Sequence, residues 1–490
     1  MDGFEIGKEE SMAYADLREY MDTLETDGEL KRIKAEVDWN LELGAIMRRA
    51  NDLREPALLF ENVKDYSSDF RVFANLVGAS KPNVFKRAAL VLGLSGDTPG
   101  PEIIEAMARR FTEPIKPVLV DRGPCKENII KGDDVDLLKF PVPFLRGLDG
   151  ARYFGTWHTD INKDPDSEWV NWGMYRHMLL DRQSISWLAN PGQHGPGLYY
   201  QKYEAKGKAM PMSIAMGTDP VVSLAAISPA TPYVNEVELA GGLRGAPVEL
   251  IKCETNDLQV PATAEIVLEG EVRPFEREPE GPFGEYPGYA SSDKALRPVF
   301  RVNCITHRNK PIFTVSSPGK PFDDTTFVYA LCGSAALMVE LRKLGLPFKS
   351  VYLTNSMMAV IISASEVYPG YVHTLSSAIW GTKVGIYRPA IIVVGEDVDV
   401  TNSDEVLWAL TTRVHPGKDI HIKKRAPSHP LYPFISPQER KDLTGAAVCY
   451  DATFPFEWKE TVPTVVDFEH AWPKESKELV LSRWKEYGFE

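Results

Sequence analysis

Cysteine is scarce. The 490-residue chain has five, Cys125, Cys253, Cys304, Cys332 and Cys449, scattered and odd in number. None forms a C-x-x-C pair, which argues against a disulfide framework and a cysteine zinc site. A reduced, cytoplasmic protein is expected. Long hydrophobic runs are missing too. MMAVII (357–362) and PAIIVV (389–394) are far too short to cross a bilayer. The opening MDGFEIGKEESM lacks a basic start and an apolar stretch, so no signal peptide is expected. Basic charge is in deficit: 55 Lys and Arg stand against 69 Asp and Glu, a net charge of −14. That balance argues against a broad nucleic-acid-binding surface but leaves room for a local anion site. H-E-x-x-H, G-x-x-x-x-G-K-[ST], G-x-S-x-G and G-x-G-x-x-G are all absent, which removes several common enzyme classes.

What is present is ordinary in bulk. Hydrophobic residues make up 43% and charged residues 25%, as in a globular protein. The length suggests about two to four domains. In SMAYADLREYMDTLETDG, Leu17, Tyr20, Met21 and Leu24 recur at helical spacing, and Gly28 ends the run. Helices are also expected over 41–53, 83–92 and 101–111, with a strand at 57–63. From 150 to 320, strand-like stretches divided by Gly/Pro turns dominate: WVNWGMYRHMLL, VVSLAAIS, ATAEIVLEGEV, PVFRVNCITHR and PIFTVSS. They suggest a β-rich body, with a barrel as one form. VYALCGSAALMVELRKLG (328–345) is apolar almost all round and reads as a buried or domain-linking helix. A smaller α/β unit follows from about 347, with strands at SVYLTN, MAVIIS and AIIVVGEDVDV and a helix near 370–381. Asn402 and Glu405 have the spacing of an N-cap and its partner. The proline- and aromatic-rich stretch 426–475 is expected to wrap over a surface.

Two segments could carry chemistry. EPEGPFGEYPGYA (278–290) sets Glu280 and Glu285 among three prolines and three glycines. It is expected to be neither helix nor regular strand, and stiff enough to fix its side chains. The alternative is a surface turn with two solvated acids. The second segment, 170–194, offers Asn171, Arg176 and His194, to which NEVELAGG adds Glu236. An amide oxygen, an imidazole and a carboxylate suit Mn²⁺ or Mg²⁺ better than structural zinc. The alternative is a histidine satisfied within the protein.

NWGMYR, GQH, NEVELAGGLRG, VELIKCETNDLQVPATAEIVLEG, PEGPFGEYPGY and VVGEDVDV resemble the UbiD family of decarboxylases, nearest the ferulic and cinnamic acid branch. The resemblance extends over nearly the whole chain. It implies an α/β (α+β) fold: a flavin-binding domain with a split β-barrel (1–325), a linker helix (326–346) and a C-terminal α/β oligomerisation domain with its tail (347–490). It implies prenylated FMN, Mn²⁺ and K⁺ as cofactors. The flavin supplies the electron sink for loss of CO₂ through a covalent adduct with the substrate. Asn171, His194 and Glu236 would hold Mn²⁺ at the flavin phosphate. The carbonyls of Trp172, Ala225, Ala226 and Ser228 would bind K⁺ with help from Glu236. Gly173, Met174, Tyr175, Gln193 and Lys383 would complete the cofactor site. Arg176, Glu280 and Glu285 would be the catalytic trio, with Arg176 paired to Glu280 and Glu285 donating the proton that replaces CO₂.

The family likeness further implies a flavin prenyltransferase as cofactor supplier and a homodimer or hexamer. No nucleic-acid or membrane partner is expected. Asn190, Tyr286, His429 and Leu431 align beside the motifs as the substrate pocket. Asn190 and His429 stand where the cinnamic-type enzymes are apolar, and buried polar groups need partners. A substrate N–H or O–H could pair with them. That favours an indole-, pyrrole- or hydroxybenzoate-type acid. A phenylacrylic acid substrate, a non-catalytic flavin- or metal-binding homologue and a metal-dependent hydrolase are the alternatives.

Overall fold

The computed structural model describes residues 14–290, 294–458 and 460–489. The opening twelve residues, and the start of the first helical run, lie outside them. The helix itself spans Leu17–Thr26 and buries Leu17, Tyr20, Met21 and Leu24, as their spacing requires. The Asp16 carboxylate starts it by accepting from the N–H groups of Arg18 and Glu19. Helices also form at Glu42–Leu53, Lys86–Val91 and Gly100–Phe111. They accompany a four-stranded sheet ordered Leu30–Ile33, Ala57–Phe60, Arg71–Ala74, Ile312–Val315. The last of these is the PIFTVSS stretch. It leaves the β-rich body and pairs in parallel with Arg71–Ala74.

The central sheet runs Ser184–Ser186, Ala295–His307, Ile266–Glu280, Met210–Met216, Thr159–Lys163, Val170–Gly173, and Asn128–Lys131 also pairs with Ala295–His307. Among the described residues this path does not close into a barrel. Its long hairpin has a register shift between Glu269 and Gly270. A Cβ on Gly270 would lie 1.9 Å from the Arg301 carbonyl oxygen, so the close approach there needs glycine.

VVSLAAIS is not a strand. Pro220–Ile227 is a helix, buried on nearly every side. A continuous apolar run has no face to contrast, so its period is silent. The pair before it carried the information: the Asp219 carboxylate accepts from the Val221 N–H at 3.1 Å, and Pro220 fills the first turn.

The linking helix spans Asp324–Lys343 and opens with a capping box between Asp323 and Thr326. Its first residue ties it to the N-terminal sheet. The buried Asp324 carboxylate accepts from the N–H groups of Leu76, Val77 and Gly78 at 3.1, 2.9 and 2.7 Å. Asp324→Ala would strand three buried donors and is expected to cost about 3 kcal/mol of stability. A lowered denaturation midpoint would register it; an unchanged midpoint would contradict this anchoring.

The C-terminal sheet is ordered Ser350–Leu353, Ala359–Ser363, Ala390–Val394, Thr444–Ala452, Ile420–Pro427. Helices Tyr371–Gly381 and Ser403–Arg413 belong to the same unit, the second capped by Asn402 as its spacing implied. The expectation of a wrapping segment from 426 is therefore wrong in part. Thr444–Ala452 lies inside the sheet, parallel to Ala390–Val394 and antiparallel to Ile420–Pro427. Beyond it the chain is mostly exposed, and helix Lys474–Ser482 buries no residue. Among the described residues no helix is long and apolar enough to cross a membrane.

Candidate active site

A cavity of about 450 Å³ lies where the central sheet, the 283–286 loop and the C-terminal unit meet. Arg176, Glu285, Tyr286, Lys383, Arg388 and His429 all line it.

The 278–290 segment is part strand. Glu278, Pro279 and Glu280 pair with Arg297, Leu296 and Ala295, so the sheet carries Glu280 to its end. That corrects the expectation that the whole segment is irregular. Pairing on one edge tolerates Pro279, which lacks an N–H. The loop beyond is pinned from residues 146–150. The Asp149 carboxylate accepts from the Gly284 N–H at 3.0 Å, and the Gly150 N–H donates to the Pro282 carbonyl at 2.7 Å. Arg146 binds Asp149 and donates to Ser317 Oγ at 3.1 Å. Glu285 closes the turn, its N–H donating to Tyr289 O at 3.0 Å.

Arg176 joins the two glutamates. Its Nε and Nη2 donate to the Glu280 carboxylate at 2.8 and 2.9 Å, and its Nη1 pairs with Glu285. The Tyr153 hydroxyl also donates to Glu280, at 2.7 Å. Phe283 lies against the guanidinium, 4.9 Å from ring centre to Cζ. Glu280 is 1% exposed, and its oxygens accept two hydrogen bonds from Arg176 and one from Tyr153. Glu285 is 9% exposed and lines the cavity; Glu280 is not among the lining residues. The carboxyl able to meet a ligand is therefore Glu285, and Glu280 orients the arginine.

The predicted metal residues come together. Glu236 begins helix Glu236–Arg244, and its Oε2 accepts from the Trp172 N–H at 3.0 Å. Its Oε1 lies 3.8 Å from His194 Nδ1. One divalent ion with donors about 2.1 Å away can span such a gap. The Asn171 amide nitrogen donates to Asn162 Oδ1 at 3.3 Å, leaving the amide oxygen as a donor atom. Lys383 Nζ meets His194 Nε2 at 2.9 Å and the Ala230 carbonyl. Burial pushes its pKa down, and an anion entering here would push it back up. Trp172, Gly173, Met174, Tyr175, Gln193, Ala226 and Ser228 line the cavity as well. Ala225 is buried behind them, at the C-terminal end of helix Pro220–Ile227. This amide, imidazole, carboxylate and ammonium set fits a divalent cation holding a phosphate.

The substrate residues are only half assembled. Tyr286 and His429 line the cavity; Asn190 and Leu431 do not. Asn190 sits in the turn before His194, its carbonyl accepting from the Gln193 N–H at 3.0 Å. Leu431 enters through its backbone, donating N–H to His429 Nδ1 at 3.3 Å.

Sequence reasoning missed several lining residues. Tyr329, Met357, Tyr387, Arg388 and Tyr432 arrive from the linking helix and the C-terminal unit, and no local pattern marks them. His158 lines the cavity and meets Asp160 at 3.3 Å, while His177 meets the same carboxylate at 2.9 Å. The three are fully buried, and among the described residues this cluster has metal-ligand spacing. His177 Nδ1 faces the Ser186 carbonyl at 3.0 Å, so both its nitrogens face acceptors. The available signal was W-H-T-D: His158 and Asp160 fall on one face of an extended stretch.

Residues 21–107, 116–321 and 326–452 match the N-terminal, Rift-related and C-terminal domains of the UbiD family, 3-octaprenyl-4-hydroxybenzoate carboxy-lyase. Pyrrole-2-carboxylic acid decarboxylase of Pseudomonas aeruginosa is 34% identical over 97% of this chain and 98% of its own. Ferulic acid decarboxylase 1 of Saccharomyces cerevisiae is 31% identical over the same shares. Among solved structures, the closed form of Sedimentibacter hydroxybenzoicus vanillic acid decarboxylase superposes with a TM-score of 0.85 at 33% identity, over 97% of this chain and 99% of that one. The UbiD-class enzyme HmfF from Pelotomaculum thermopropionicum, in complex with FMN, gives 0.82 at 30% identity, over 92% and 97%. With all three domains matched in order across most of its length, the chain belongs to the UbiD family.

Proposed function

We propose that this protein catalyses the reversible, non-oxidative decarboxylation of an aromatic or heteroaromatic carboxylic acid, using prenylated FMN, Mn²⁺ and K⁺. The observation that carries the reading is Arg176, bound at once to Glu280 and Glu285, in a cavity also lined by Asn171, His194, Glu236 and Lys383. Membership in a carboxy-lyase family and decarboxylase relatives support it. One of the neighbouring HmfF structures is in complex with prenylated FMN.

Prenylated FMN supplies, when bound, the electron sink that loss of CO₂ from an sp² carbon requires. The chain does the rest. Asn171, His194 and Glu236 hold the divalent ion, and Lys383 adds a cation for the phosphate. The last turn of helix Pro220–Ile227, with Ala225 and Ala226, and Ser228 just after it, offers carbonyl oxygens for K⁺. Arg176, fixed by Glu280, orients the substrate carboxylate. The C–CO₂ bond breaks. The Glu285 carboxyl then gives its proton to the same carbon, leaving a carboxylate beside the arginine. In the carboxylation direction Glu285 takes that proton back. A flavin prenyltransferase would supply the cofactor, and a homodimer is the smallest assembly we expect.

The test is CO₂ release from aromatic acids by protein reconstituted with prenylated FMN, Mn²⁺ and K⁺. Release should require the flavin; release without it, or from no aromatic acid, would overturn the assignment. FMN alone checks the phosphate end. In the presence of Mn²⁺, Lys383→Ala should weaken FMN binding about tenfold, the worth of one charge-assisted hydrogen bond. Equal dissociation constants would remove Lys383 from the cofactor site.

A further inference from the structure

His429 follows strand Ile420–Pro427 and lines the cavity. Its tautomer can be read from its neighbours. The Leu431 N–H donates to Nδ1 at 3.3 Å, and a backbone N–H can only donate. The Tyr286 hydroxyl lies 3.4 Å from the same nitrogen and is held protonated by burial. The Leu431 N–H requires a lone pair at Nδ1, and the Tyr286 hydroxyl can donate to the same atom. Burial and the nearby Arg388 charge push the imidazole down to about 4, so the ring is neutral. A neutral ring with a lone pair at Nδ1 carries its proton on Nε2.

Among the described residues, Nε2–H has no hydrogen-bond partner. Arg388 offers no acceptor, and its own donors go to Val384 O, Met357 O and the Tyr329 hydroxyl. The Tyr432 hydroxyl donates to the Tyr387 carbonyl and makes no hydrogen bond to Nε2. Tyr286 is engaged at the opposite nitrogen. What remains for Nε2–H is water or a ligand in the cavity.

We propose that His429 acts as a hydrogen-bond donor selecting ring acids that carry an acceptor oxygen, such as a hydroxyl, ether or carbonyl, over rings offering only N–H. This rests on the decarboxylase reading of the same cavity. It also narrows the expectation from sequence, in which a substrate N–H was as acceptable as an O–H. Asn190, the group that could have accepted from an N–H, is not in the cavity lining. A ring N–H brought to Nε2–H sets donor against donor. Both then lose water without gaining a partner, which is the stronger form of discrimination.

The experiment uses the full chain reconstituted with prenylated FMN. Equilibrium binding is measured for ring acids bearing hydroxyl, methoxyl, methyl or amino at one position. The hydroxyl and methoxyl acids should bind about 10-fold tighter than the methyl and amino acids. In His429→Phe the preference should shrink to about twofold or less, and His429→Gln, which keeps an N–H donor, should restore part of it. Nitrogen-15 spectra of the labelled protein should place the His429 proton on Nε2. Tighter binding of the amino acid than the methoxyl acid, a preference that survives His429→Phe, or a proton on Nδ1 would each overturn the proposal. CO₂ release without any such preference would sink the role of His429 alone. The preference without CO₂ release from any ring acid would uphold His429 and count against the decarboxylase reading.

Discussion

Glu285→Gln should lower CO₂ release by about 10² to 10⁴-fold, the usual contribution of a positioned general acid. The substitution keeps size and polarity but removes the proton that must reach the carbon. Geometry predicts that little else changes. Glu285 contributes one pairing to Arg176, whereas Glu280 supplies two and also takes the Tyr153 hydroxyl. The arginine therefore stays in place when Glu285 is neutralised. Flavin binding should also persist, because Asn171, His194, Glu236 and Lys383 form a separate cluster. The measurement is CO₂ release at saturating substrate, with flavin absorbance as the control for loading. Release equal to that of the unmodified protein, at equal loading, would take the proton-donor role away from Glu285.

How much of this was legible in the sequence depends on whether neighbours along the chain determine the feature. Leu17, Tyr20, Met21 and Leu24 mark a helix because its two faces differ, and all four are buried. Asn402 marks a helix start because the cap and its partners lie within three residues. Pro220–Ile227 escaped because it is buried all round, so the pattern of apolar residues has nothing to alternate with. Thr444–Ala452 escaped because its partner strands, Ala390–Val394 and Ile420–Pro427, decide its place in the sheet. The site divides along the same line. Arg176, Glu280 and Glu285 lie in motifs that resemble a known family, and the structure brings them into contact. The pocket is built across the chain: Tyr329, Arg388 and Tyr432 reach it from the linking helix and the C-terminal unit. Asn190 and Leu431 lie near the motifs in sequence, but they are not among the residues that line the cavity.

Gly150→Ala should lower turnover about 10²-fold without touching any catalytic side chain. A Cβ at Gly150 would lie 2.1 Å from the Gly281 carbonyl oxygen and 2.6 Å from its carbon. These are backbone atoms, so rotating a side chain cannot relieve the clash. The 281–282 segment must move, and with it the 2.7 Å hydrogen bond from the Gly150 N–H to Pro282 O. That segment lies between Glu280, at the end of its strand, and Glu285, on the pinned turn. A shift of about 1 Å there separates the proton donor from the arginine that sets its position, and misplacement of that size costs on the order of 10² in rate. The strain itself should cost about 1–3 kcal/mol of stability, so the protein remains folded for assay. Gly147→Ala is the matched control, because nothing lies within 4 Å of a Cβ at that position. FMN affinity should be the same in both variants, since Gly150 touches none of the phosphate-end residues. Turnover of Gly150→Ala equal to that of Gly147→Ala would mean that the 281–290 loop tolerates displacement. The rigidity that its prolines, Asp149 and Arg146 impose on Glu285 would then have no catalytic role.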